Sequence, residues 1–242
     1  MRAQITPPVR RLLDVLPRTG RRVADPVRAA AEATAAGCVV ALEHTPAADA
    51  ATELRDLVAR VAGAGLAGAC ELTVPVDRLG AAAAGVVGAA ADAGLDVALD
   101  GAPAAVDGLA AEVGPVTVVV RAADAGAEER CRALAAGRLR LTGAHLPGRR
   151  GAAADLAFVR CLDVLMSGAG RPGVGTTDPR LVAIAGERAA WNERVLDSWE
   201  SVLPWQVRSE QQRRSVTGGY RVRVVPRSGA PVPAPRRPAG RS

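Results

Sequence analysis

Short apolar or β-branched runs alternate with longer helical stretches, and this alternation recurs eight times along the chain. The runs are 38–44 (CVVALEH), 69–74 (ACELTV), 96–100 (DVALD), 116–122 (VTVVVRA), 138–144 (RLRLTGA), 172–177 (PGVGTT), 199–205 (WESVLPW) and 220–225 (YRVRVV), the seventh being the weakest signal. Seven helical stretches lie between them, and most end in glycine, as a C-cap requires. Strand–helix alternation on this scale implies a parallel sheet. Eight units imply closure into an α/β barrel of the (βα)8 TIM type. The competing arrangement is an open doubly wound sheet, but no GxGxxG follows a strand, which counts against it.

A chain of 242 residues, 49% of them apolar, suits one such domain with a sizeable core. Residues 1–25 read as a basic leader with a short helical pattern at 9–16 (VRRLLDVL), residues 26–226 as the barrel, and residues 227–242 as a tail rich in Pro and Arg. The last segment, PRSGAPVPAPRRPAGRS, carries five prolines and no helical period. It is expected to be extended or disordered, and the barrel to be distorted, with its eighth outer helix missing or degraded.

The net charge of +6 is carried by arginine alone, because the chain contains no lysine. That excludes a Schiff-base lysine, a P-loop lysine and any lysine anchoring a carboxylate. The basic surplus lies in the two ends, and Phe158, Tyr220 and three tryptophans are the only aromatics. Base stacking needs rings among the cations, so a solvated basic surface is the better reading than a nucleic-acid partner. Cys38, Cys70, Cys131 and Cys161 have no CxxC spacing and sit in apolar runs, which predicts buried free thiols rather than zinc ligands or disulfides. The start, MRAQITPPVRR, lacks a signal peptide's apolar core, and no run has spanning length. The expectation is a soluble cytoplasmic protein with no membrane span and no metal, its oligomeric state open.

Within 173–186 (GVGTTDPRLVAIAG) a glycine-loosened strand ends at Thr176 and Thr177 and turns into a helix. Asp178 is placed to cap that helix, with Pro179 in its first position. The block 154–186, followed by SEQQRRSVTGGYRVRVV at 209–225, resembles the flavin-dependent proline dehydrogenases, above all their short single-function bacterial members. Weaker similarity in the same order covers VRAAAEATAAGCVVALEH, GLAGACELTVPVDRLG, DVALD and GRLRLTGAH, so the resemblance spans about 23–226.

The resemblance implies a distorted barrel holding FAD at the C-terminal ends of its strands, and oxidation of L-proline to Δ1-pyrroline-5-carboxylate by hydride transfer to the flavin. Carried over residue by residue, it implies catalytic or substrate roles for Asp100, His145, Arg236 and Arg237. It implies flavin contacts for Arg121, Arg140, Gly143, Ala144, Thr177 and Asp178. Several positions depart from the family pattern. Its second-strand lysine falls at Pro75, its fourth-strand glutamine at Arg121, and the lysine and tyrosine after its fifth strand at Thr142 and His145. Thr177 stands where the family has histidine, before a retained Asp178–Pro179–Arg180. Each kept residue also has a plain structural role open to it: Asp178 as a helix cap, Asp100 before Gly101 as a turn former, His145 as a packing residue, Arg236 and Arg237 as solvated tail. The alternative function is a family member that no longer turns over and serves as a binding or structural barrel.

Overall fold

The computed structural model describes residues 22–143, 151–206 and 209–230. Eight parallel strands follow one another in chain order: β1 (Val39–Thr45), β2 (Cys70–Pro75), β3 (Asp96–Asp100), β4 (Thr117–Arg121), β5 (Arg138–Thr142), β6 (Arg171–Gly175), β7 (Glu200–Pro204) and β8 (Arg221–Val225). β1 pairs with both β2 and β8, which closes the sheet into a (βα)8 barrel. Every expected run is a strand, including WESVLPW, whose β7 is held between β6 and β8.

The helices are α1 (Pro26–Ala35), α2 (Ala50–Gly63), the single turn α3 (Val76–Leu79), α4 (Ala83–Asp92), α5 (Pro103–Val113), α6 (Ala127–Leu134), α7 (Ala152–Ser167), α8 (Pro179–Trp191) and α9 (Ser209–Thr217). Local chemistry places several of their starts. Asp25 caps α1 before Pro26, Asp49 accepts from Thr52 N to cap α2, and Asp178 accepts from Arg180 N at 2.9 Å to cap α8 before Pro179. The main core lies between strands and helices. Alternate strand residues such as Val40, Leu42, Leu72, Val74, Leu99, Leu139, Leu141, Val222 and Val224 face it, together with Leu54, Val61, Val86, Phe158, Leu162 and Leu165 from the helices. The four cysteines are free and buried. The fold brings two of them together: the thiols of Cys131 on α6 and Cys161 on α7 are neighbours, although 30 residues separate them in sequence.

A helix packs where the eighth outer helix would stand, and it comes from the other end of the chain. α1 lies against β1 and α2, and the turn after it reaches α9, where Gly37 abuts Val216 closely enough that a Cβ would meet it at 2.8 Å. Ala29, Ala30 and Ala33 are its buried face, small enough for close approach. Among the described residues no helix follows β8. The sequence assigns 227 onward to the tail, but Arg227–Gly229 form a further strand, β9, parallel to the end of β1. The physical reason is that β1 runs on to Thr45, past the end of β8, and its last backbone groups need partners. The end of the leader is tied to the same place: Val23 N donates to Arg227 O at 2.7 Å, and the Arg22 guanidinium donates to Ser228 O at 2.7 Å.

Candidate active site at the C-terminal mouth

The inward-facing strand positions include buried charges beside a small apolar cluster of Ala41, Val202 and Val225. Midway down the lumen, Arg223 grips Glu200 with Nε at 2.5 Å and Nη2 at 3.2 Å, and its Nη1 donates to Val40 O at 3.2 Å. Arg140 contacts Glu71 and donates to Thr73 Oγ1 at 3.2 Å, while Thr117 donates to Glu71 at 2.8 Å. All four charged side chains are buried. Burial first, then the neighbouring charge of Arg223, pulls the Arg140 guanidinium down to about 10, so it stays cationic at neutral pH. Burial pushes the Glu200 carboxyl up, but Arg223, with Arg140 and Arg221, outweighs it and holds the carboxyl below its ordinary value.

Barrel sites lie at the C-terminal strand ends, where the loops meet. There Asp100 closes β3 and Arg121 closes β4. Arg121 Nη2 meets both Asp100 carboxylate oxygens, at 2.5 and 2.7 Å. Two further carboxylates stand near. Asp77, on α3, accepts from Ala102 N through both oxygens, and Glu43, on β1, pairs with Arg227 at 2.7 Å. Burial raises the Asp100 carboxyl, Arg121 lowers it, and Glu43 and Asp77 raise it again; the net direction is up. Beside this group His44 bridges two strands and a helix, with Nδ1 2.9 Å from Ser228 Oγ and Nε2 3.3 Å from Glu53.

The fold therefore separates the expected site residues. Asp100 and Arg121 meet at the mouth. Arg140 does not join them: in the middle of β5 it points down the lumen into the contact with Glu71, because its alternation places it inward and two residues short of the strand end. Its partners there are Glu71 and Thr73, away from the Asp100–Arg121 pair. Asp178 is a helix cap that also pairs with Arg180, and Thr177 precedes it in the β6–α8 loop. Gly143 follows β5, and a Cβ there would meet only ordinary contacts, the nearest at 3.8 Å, so nothing built around it demands glycine. Pro75 ends β2 opposite Asp100 and offers neither charge nor backbone donor. Ala144, His145, Arg236 and Arg237 lie outside the described residues. Glu43, Asp77 and Arg227 were missed from sequence. The signal that could have found Asp77 and Arg227 is their place just beyond a strand end on the same rim; Glu43 lies within β1, beside the start of β9.

These residues do not by themselves make a dinucleotide site. Three guanidiniums at the mouth already face carboxylates, Arg121 through Nη2 to Asp100, Arg227 to Glu43 and Arg180 to Asp178 and Asp155, so a diphosphate laid there would meet cations whose charge is already balanced. Two cavities lie elsewhere. One, of about 450 Å³, sits at the N-terminal strand ends beside Arg138 and Arg171, and one of about 170 Å³ lies between α8 and α9 beside Trp199 and Tyr220. No helix among the described residues is long and apolar enough to cross a membrane.

No family model matches the chain, and no curated protein does. Among solved structures its fold is similar to that of proline utilization A (PutA) from Bdellovibrio bacteriovorus, in a crystal structure of the protein inactivated by N-propargylglycine. The TM-score is 0.62 at 16% identity, over 79% of this chain. The match covers 28% of the PutA chain, so this barrel corresponds to about a quarter of that protein's length.

Proposed function

We propose that this chain is a proline dehydrogenase-like barrel, an oxidoreductase that takes a hydride from L-proline to give Δ1-pyrroline-5-carboxylate, with FAD as the acceptor. The observation that carries the reading is the shared barrel fold with PutA, over most of this chain, in the strand order that the sequence motifs follow. Asp100 at the mouth adds to it. Proline is the substrate class because the resemblance names it and because the mouth pairs a carboxylate with a guanidinium, the two charges that an amino acid needs. The described residues do not complete a flavin site. Groups at 144, 145, 236 and 237 would have to supply what Arg140 does not.

The paired cations favour a second reading, a barrel of this fold that binds a small molecule without turnover. The visible spectrum after loading with excess FAD and desalting separates the two. A retained flavin band that bleaches on adding proline supports the enzyme. A colourless protein with a cooperative thermal transition overturns it and leaves the binding barrel.

A further inference from the structure

We infer that the Asp100–Arg121 pair is a receptor for an amino-acid zwitterion, Arg121 taking the α-carboxylate and Asp100 the amine. The inference rests on the proline dehydrogenase-like reading only for which amino acid is bound, and it deepens that reading by naming the residues that hold it.

The guanidinium is half spent. Both contacts to Asp100 come from Nη2, and among the described residues no acceptor meets Arg121 Nη1 or Nε. Its side chain is 46% exposed and that of Asp100 28%, so a ligand can reach both. The surrounding carboxylates are occupied elsewhere, Asp77 by the Ala102 amide and Glu43 by Arg227. Asp100 is therefore the carboxylate of this rim whose partner still has donors to share.

Charge then selects the ligand. The pair is neutral overall, so a dianion laid on Arg121 would meet the carboxylates of Asp100, Asp77 and Glu43. A zwitterion laid antiparallel on the pair places its carboxylate on Arg121 and its ammonium on Asp100, and no net charge is left over. Both residues end strands of the closed barrel, so the two charges are held in place before the ligand arrives and little ordering is required on binding. The chain has no lysine to hold a substrate carboxylate, and Pro75, opposite Asp100, has no charge, which leaves Arg121 as the cation beside Asp100.

The test is calorimetric titration of the full-length, flavin-free chain with L-proline, L-alanine, pyrrolidine, which lacks the carboxylate, and cyclopentanecarboxylate, which lacks the amine. Arg121→Met is expected to weaken zwitterion binding about tenfold or more, the size of a lost charge-assisted hydrogen bond. Arg121→Lys, which keeps the charge but not the fork, is expected to fall between. Asp100→Asn should weaken proline and leave cyclopentanecarboxylate unchanged. Thermal melts of each variant confirm that it is folded. Proline binding that survives Arg121→Met but is lost in Arg236→Ala/Arg237→Ala overturns the inference and leaves the proline reading standing. Binding of alanine but not proline, with the same dependence on Arg121, supports the inference and overturns the proline reading. Wild-type protein that binds no amino acid overturns both.

Discussion

The middle of the lumen and the C-terminal mouth are built from the same eight strands, yet their charges are in opposite supply. In the lumen each carboxylate has more guanidinium than it needs: Glu200 meets Arg223 and Arg221, and Glu71 touches Arg140 with Arg138 and Arg223 each 3.8 Å away. At the mouth Asp100 has Arg121 and Glu43 has Arg227, while a third carboxylate, Asp77, accepts only from the Ala102 amide among the described residues. A buried charge without its partner is very costly, so the lumen set is closed and its members hold one another. Where water reaches, a donor can stay unspent at little cost, and Arg121 does so. Permanence below and availability above follow from burial alone.

The largest effect should come from breaking the lumen set on one side. Arg223→Met leaves Glu200 buried without its closest cation, with Arg221 and the charge of Arg140 remaining, and it is expected to cost about 3–5 kcal/mol of folding free energy in urea titrations. The double variant Arg223→Met/Glu200→Leu should recover most of that loss, since apolar replacement of a whole buried pair is often neutral. A double variant as unstable as the single would mean that the pair itself, and not the orphaned charge, holds the barrel.

The acid responses of the two regions should differ in sign. Glu200 has a folded value below its ordinary 4.5, so its contribution is present above about pH 4.5 and is lost as pH falls through the folded value. The stability gap between wild type and Glu200→Gln should therefore narrow on acidification below pH 4.5. Asp100 has a folded value above its ordinary 3.8, so its ionisation opposes folding at neutral pH, and that penalty fades as pH falls through the folded value towards 3.8. The smallest effect follows: Asp100→Asn should be as stable as wild type or slightly more so at pH 7, by less than about 1 kcal/mol, and the difference should vanish in acid. A clear loss of stability in Asp100→Asn at pH 7 would place the mouth pair with the structural set.

How far the sequence is legible follows the same division. The eight strands can be read because their outward residues are apolar and a helix or turn signal bounds each one. The lumen is harder to read. RLRLT and RVRVV alternate as a strand with one wet face would, and the inward Arg140 and Arg223 look like exposed residues. Only closure of the barrel turns that second face inward, and closure is a property of all eight strands together. At the mouth Asp100 and Arg121 are each visible as strand ends, but their pairing is not, because 21 residues separate them. Arg140 was placed at the rim for a related reason: its position two residues before the strand end decides its height in the barrel, and resemblance does not carry register. The stand-in for the eighth outer helix escaped as well, since nothing local in PVRAAAEATA says that it packs against the other end of the chain.

Barrel closure sets an order of events during synthesis. β1 leaves the ribosome well before β8, the strand that closes the barrel against it. The bond from Arg223 to Val40 O spans 183 residues. At 5–20 residues per second, roughly ten to forty seconds pass before β8 can meet β1. During that interval the edge of β1 that β8 will cover has no partner, so the nascent chain is open to mispairing and chaperone capture there. The seam that closes last joins an early strand to a late one.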